Sequence, residues 1–197
     1  SAGNLWVGTS QGGLNKFDRD SETFSRYLND PLAPNSLSNN DVRWILEDRA
    51  GVIWLATRGG GVNKFVPSLE KFIYMSYDPH NPNGLNNNDV RAIHEDRAGN
   101  LWLGTKGGGL NKYDPYTGRF TVYQHDPDDP NSLSSNVVYD LFVDRKGVLW
   151  IGTEGGLNRF DGETEGGSAQ FTRYQHNPDD PDSLSGNLVI SLYEDIA

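Results

Sequence analysis

Four tryptophans, Trp6, Trp54, Trp102 and Trp150, lie in copies of one phrase: NLWVGT, VIWLAT, NLWLGT and VLWIGT. The step from each tryptophan to the next is 48 residues. A fixed period of this length is the mark of a repeat architecture, in which one supersecondary unit stacks on copies of itself. Most residues that recur at this period are therefore scaffold. A function peculiar to the chain must sit where the repeat is broken.

Each unit reads as four short strands. The first is NDVRWILED, within residues 39–48, repeated as NDVRAIHED, NVVYDLFVD and NLVISLYED. A turn ending in Gly51, Gly99 or Gly147 leads to the Trp strand, and glycine there suits a hairpin position of positive φ. A glycine cluster follows, then LNKF (14–17), VNKF (62–65), LNKY (110–113) and LNRF (157–160). The fourth strand is FSRY, FIYM, FTVY or FTRY. A proline-rich loop closes the unit: DPLAPNSL, DPHNPNGL, DPDDPNSL or NPDDPDSL. Paired prolines stop strand propagation, and the final Leu is expected to plug the core of the next unit. The last unit is longer, through GETEGGSAQ (162–170), where a turn tolerates the insertion.

The expected fold is all-β, a β-propeller of four-stranded antiparallel blades, four per chain. No segment sustains the 3.6-residue period of a helical solenoid. The blades are expected at 37–84, 85–132 and 133–183, with 1–36 and 184–197 forming one split blade. EDIA (194–197) aligns with EDRA (47–50), and GNLW (3–6) aligns with GNLW (99–102). The chain thus opens on a second strand and ends on a first strand, as an excerpt of a longer protein would. Pairing of the two would remove exposed sheet edges. It closes either a four-bladed ring within one chain or an eight-bladed ring across a homodimer; the dimer is the expectation adopted here.

Composition narrows the partners. The net charge is −10, which disfavours nucleic acid and anionic membrane surfaces. There is no cysteine, which excludes disulfides and thiolate metal sites. No apolar run approaches the roughly 20 residues of a membrane span. No cofactor and no metal site is expected. The acidic loops at Asp126, Asp128, Asp129 and at Asp179, Asp180, Asp182 lack EF-hand spacing. His125 and His176 share a repeat position on expected outer strands. The glycine clusters lack the Lys-Ser/Thr and helix of a P-loop.

The pattern N-x-V-x-x-I-x-E-D-R-x-G-x-L-W-x-G-T-x-G-G-G-L-N-[KR]-[FY]-D resembles the two-component regulator propeller repeat over essentially the whole chain. That resemblance implies the sensory region of a bacterial hybrid two-component sensor, periplasmic and followed elsewhere by a β-sandwich, a membrane helix and a histidine kinase. Many such regions respond to oligosaccharides. The resemblance carries no binding residue over, and no kinase lies in this chain. The turns Asp48–Gly51, Asp96–Gly99 and Asp144–Gly147 also resemble the Asp-box of sialidase-like propellers, in which an Asp caps a hairpin.

Candidate ligand residues are the ones that vary on the constant frame. Residues 39–65 and 87–113 agree at 19 of 27 positions, and the differences include Trp44 against Ala92 and Leu46 against His94. First strands present Trp44, Ala92, Asp140 and Ser191 as one series, and Arg43, Arg91, Tyr139 and Ile190 as another. Ser10, Arg58, Lys106 and Glu154 form a third. An aromatic beside Asp and Arg suits a sugar through ring stacking and directional hydrogen bonds. The candidates are therefore Arg43, Trp44, Arg58, Arg91, His94, Lys106, Tyr139, Asp140 and Glu154. The expected function is a non-enzymatic ligand-sensing module for a carbohydrate or other small ligand. A pure scaffold or protein-interaction propeller is the first alternative. A sialidase-like enzyme or one resembling the streptogramin lyases ranks last, because catalysis needs a singular acid–base cluster.

Overall fold

The protein is described by a computed structural model covering residues 3–165 and 168–195, apart from the Ser68 side chain. The expectations for Ser1, Ala2, Ile196, Ala197 and the Gly166-Gly167 tip of the last hairpin lie outside the described residues. The chain divides into two compact units, Ser1–Ile93 and His94–Ala197.

Four antiparallel sheets follow the repeat. The first holds β1 (Leu5–Gly8), β2 (Leu14–Asp18) and β3 (Thr23–Tyr27). The second holds β4 (Val42–Glu47), β5 (Ile53–Thr57), β6 (Gly61–Val66) and β7 (Lys71–Met75). The third holds β8 (Val90–Glu95), β9 (Leu101–Thr105), β10 (Leu110–Asp114) and β11 (Arg119–Tyr123). The fourth holds β12 (Val138–Val143), β13 (Leu149–Thr153), β14 (Gly156–Glu163) and β15 (Ala169–Tyr174). Neighbours in sequence are neighbours in each sheet, as in a simple meander. A short 3-10 turn at Pro67–Leu69 joins β6 to β7. Among the described residues no helix is long and apolar enough to cross a membrane.

The first sheet is one strand shorter than the other three. It has three strands, and residues 187–195 lie in no strand. An isolated first strand has no hairpin partner to satisfy its main chain, and a lone strand is not stable. The segment is tied instead to the fourth sheet, where Val189 N–H donates to Thr153 O over 2.9 Å.

The glycine cluster is a junction between consecutive repeats. Asn136 accepts at its carbonyl from the N–H groups of both Gly107 and Gly109, each at 2.9 Å. Its side-chain Oδ1 accepts from His125 N–H at 2.7 Å. Asn40 does the same for Gly13 and Asn29, and Asn88 for Gly59, Gly61 and Tyr77. Gly109 has φ +75, and a Cβ there would stand 2.3 Å from the Tyr123 carbonyl oxygen. Only glycine satisfies both conditions.

Three of the four plug leucines behave as expected, and Leu184, which has no following sheet to fill, is only half-buried. Leu37, Leu85 and Leu133 are fully buried. Leu37 packs with Leu14, Val42, Ile53, Leu55, Phe65 and Phe72. The loop that leaves the first sheet thereby fills the core of the second, and Phe72 N–H donates to Asn35 O of the same loop at 2.9 Å. Behind Leu37 and Leu133 lies a polar triad of Asn, Ser and Thr. Asn158 Oδ1 accepts from Ser134 N–H at 2.8 Å, its Nδ2 donates to Ser134 Oγ at 2.8 Å, and that hydroxyl pairs with Thr153 Oγ1 at 2.8 Å. Buried polar groups satisfied this completely fix register rather than bind ligand.

Candidate functional site

The Asp turns are structural. Asp96 Oδ1 accepts the N–H groups of Ala98 and Asn100, while Oδ2 accepts from Asn100 Nδ2 and Trp102 Nε1. Burial alone would raise this carboxyl, but those hydrogen bonds hold it below its ordinary value. Asp144 is likewise held low, chiefly by the Trp150 indole. His125 Nδ1 lies 2.7 Å from Leu133 O and His176 Nδ1 2.7 Å from Leu184 O, the place where Asn29 Nδ2 meets Leu37 O. Both histidines cap a loop carbonyl. Asp126, Asp129 and Asp180 likewise accept N–H groups two residues ahead in their own loops. Among the described residues no group of three or more His, Asp or Glu is placed to hold a metal ion.

The variable first-strand positions are arranged by a bulge. In β4, Val42 pairs with Thr57 and Trp44 with Ala56, so Arg43 is the extra residue. Tyr139 takes the same place in β12. A bulge re-aims its extra side chain. Arg43 stands exposed with Nη2 2.8 Å from Asp41 Oδ2. Arg91 repeats the pairing, with Nε 3.6 Å from Asp89 Oδ1. Arg58 is exposed in the same unit, where its N–H donates to Asp41 O and its backbone bridges Asp89. The first unit therefore gathers Arg43, Arg58 and Arg91 with two aspartates at the start of its first strands. Trp44 lies half-buried one position further along.

In the second unit Lys106 and Glu154 are exposed, and both flank Val137: Lys106 through a backbone bridge and Glu154 through an N–H bond of 3.0 Å. Tyr139 is half-buried beside them in sequence. Asp140 is only 6% exposed. Its Oδ1 accepts from Leu141 N–H at 2.9 Å and its Oδ2 from Leu192 N–H at 2.7 Å. The carboxylate thus anchors the 187–195 segment. Burial pushes the Asp140 carboxyl up, and burial pushes the half-buried His94 down against the opposing pull of Asp140, Asp96 and Glu95. His94 and Asp140 are neighbours electrostatically, but Asp140 already accepts two main-chain hydrogen bonds.

One contact has no counterpart among the sequence expectations. Tyr123 OH donates to Glu163 Oε1 at 2.6 Å, and Lys112 Nζ lies 3.6 Å from the same oxygen. This strongly raises the tyrosine pKa, through burial first and Glu163 second. Glu163 comes from the lengthened last hairpin, so the insertion itself was the available signal.

Residues 36–59, 84–107 and 132–155 each match the two-component regulator propeller family. The three matched segments are similar to that family's repeat, and the sheets they help to build are four-stranded antiparallel meanders of the propeller-blade kind. Each match runs from the end of the proline-rich loop through the first strand, the Asp turn and the Trp strand to the glycine cluster. No curated protein matches the sequence. Among solved structures, the chain is similar to the domain described as the extracellular part of one-component system BT4673 of B. thetaiotaomicron. That match has TM-score 0.77 and 23% identity over 99% of this chain and 24% of that one. The extracellular domain ascribed to hybrid two-component system BT3049 of the same organism gives 0.70 and 24%, over 88% of this chain and 22% of that one. Virginiamycin B lyase from Staphylococcus aureus gives 0.60 and 15%, over 89% of this chain and 53% of that one. The likeness at these identities is one of fold, and the chain spans about a quarter of the first two.

Proposed function

We propose that this chain is a non-catalytic, ligand-sensing segment of an extracytoplasmic sensor of the two-component kind, and that its ligand is a carbohydrate. The observation that supports this reading is the contrast between frame and variation. Recurrent polar groups are spent on turns, junctions and triads, as at Asp96, Asn136 and Asn158. Arg43, Arg58, Lys106 and Glu154 stand exposed on that frame and differ in charge from blade to blade. An aromatic ring at Trp44 and polar side chains at Arg43 and Arg58 in the same unit suit a sugar. The extracellular origin of the similar domains supports the location.

An enzyme reading finds little support. His94 feels the charge of Asp140, but the Asp140 oxygens accept main-chain N–H groups, and the contacting pair His80 with Asp78, at 3.3 Å, lies exposed in a loop.

Calorimetric titration against a panel of neutral and acidic oligosaccharides tests the proposal. A binder is expected, with affinity falling at least tenfold in Arg58→Ala and in Trp44→Ala while the thermal transition is retained. A panel without a binder, or variants that bind unchanged, overturns it.

We also propose that two copies of the 197-residue chain associate by strand exchange, residues 187–195 of one pairing with β1 of the other. Sedimentation equilibrium is expected to give twice the chain mass of 21.9 kDa. A single-chain mass at high protein concentration defeats this.

A further inference from the structure

Each unit contains one cleft built from the same side chains, and the two clefts differ in what fills them. In the first unit Trp6 lies 5.9 Å from Tyr27 and 5.4 Å from Phe65, with Lys16 Nζ 5.8 Å from the Trp6 ring. In the second unit Trp102 lies 5.7 Å from Tyr123 and 5.1 Å from Phe160, with Lys112 Nζ 5.3 Å from the Trp102 ring. The three distances agree to within about 0.5 Å.

The second cleft is closed by its own chain, because Glu163 reaches back to the Tyr123 hydroxyl and to Lys112. The first cleft has no counterpart of that hairpin. β6 ends at Val66, and the short 3-10 turn brings the chain to Glu70, in the left-handed region at φ 49. What results is an open cavity of about 210 Å³ walled by Trp6, Tyr27 and Phe65 and bordered by Lys16, Glu47 and Glu70. Among the described residues the Tyr27 hydroxyl has no hydrogen-bond partner of the kind Glu163 gives Tyr123.

Charge decides what fits. One lysine against two glutamates leaves the lining one negative charge in excess. The position of Glu47 is taken by Val143 in the repeat that forms the second cleft, so that closed site holds one lysine against one glutamate. Glu70 lies close enough to Tyr27 to raise its pKa after burial does, which weighs against a second anion beside that hydroxyl. Aromatic faces with an uncompensated carboxylate attract an organic cation through ring quadrupole and charge together.

We infer that the cleft between Trp6, Tyr27 and Phe65 binds a small organic cation, a primary or quaternary ammonium, with Glu47 and Glu70 as its counter-charges. This site is separate from the first-strand site proposed above and stands or falls without it.

The test is calorimetric titration of the 197-residue chain at low ionic strength with n-butylammonium and tetramethylammonium chloride, and in parallel with glucose and sodium acetate. Saturable binding of an ammonium ion is expected. It should weaken at least fivefold in Glu47→Gln and in Glu70→Gln, both exposed positions that leave the core intact, and fall below detection in the double variant. Trp6→Phe should remove the accompanying tryptophan fluorescence change. The inference is overturned by no saturable binding of either ammonium ion. Binding unchanged in both glutamine variants also overturns it, as does tighter binding of glucose or acetate than of the ammonium ions.

Discussion

The Trp54 indole N–H donates to Asp48 Oδ2 across 2.7 Å, so the strand that defines the repeat is bonded to the turn that introduces it. The same pair recurs as Trp102 with Asp96 at 2.9 Å and Trp150 with Asp144 at 3.0 Å. One carboxylate therefore closes the hairpin with one oxygen and fixes the indole with the other.

Loss of that carboxylate should be felt twice. Asp96→Ala orphans a buried indole N–H and the turn amides, at an expected cost of about 2 kcal/mol. Urea denaturation measures it, and an unchanged midpoint would refute the assignment. The lowered pKa values of Asp96 and Asp144 add a pH signature. Their stabilisation is fully present above the ordinary carboxylate pKa and is lost as pH falls through the lowered folded values.

Asp140 should control the 187–195 segment. In Asp140→Ala the Leu192 amide loses its acceptor, and its hydrogen exchange should quicken at least tenfold while core amides of β13 keep their protection. Asp140→Asn retains one acceptor oxygen and should fall between. Equal exchange in all three proteins would show that the contact contributes nothing.

His94 should give the opposite pH response from a paired histidine. Burial lowers its folded pKa below the unfolded value of 6.5. Its contribution is complete above that value and disappears as pH falls from there through the folded pKa, because the unfolded chain binds the proton first. His94→Leu copies Leu46 of the preceding repeat and should flatten the stability profile over this range. A profile that keeps its slope places the titration elsewhere.

Two glycines of similar φ should respond differently to alanine. At Gly99, with φ +88, an added Cβ would meet nothing within 4 Å, so Gly99→Ala costs only the backbone strain, about 1 kcal/mol. Gly109→Ala adds a collision with the Tyr123 carbonyl oxygen and should cost about 3 kcal/mol. Thermal melts of the two variants compare them directly, and equal shifts would contradict the crowding at Gly109.

The blade strands are legible because strand, turn and loop signals recur on one period, and the register errors that beset a single strand are corrected by its copies. The capping roles of His125 and His176 are partly visible, since Asn29 holds the same position. The bulge at Arg43 and Tyr139 is not, because nothing in the spacing of β4 or β12 marks an extra residue until the partner strand is placed. Asp140 looks open to ligand in the sequence, since its acceptor role depends on an amide 52 residues away. The fate of Glu163 is hidden for the same reason: hairpin length is visible in a sequence, but the surface onto which the hairpin folds is not.

The plug leucines bear on how such chains change over generations. Leu37 leaves the first sheet and is spent inside the second, and Phe72 bonds to the same loop. The element that is stable is thus the seam joining two sheets, with each sheet sharing its cohesion with its neighbour, as in a one-dimensional array. Duplication or loss of 48 residues, wherever the break falls, regenerates every seam with the same leucine, asparagine and glycine partners. Blade number can then drift freely across descendants while seam chemistry is held nearly constant, and new specificity enters through hairpin length and the few side chains between the seams.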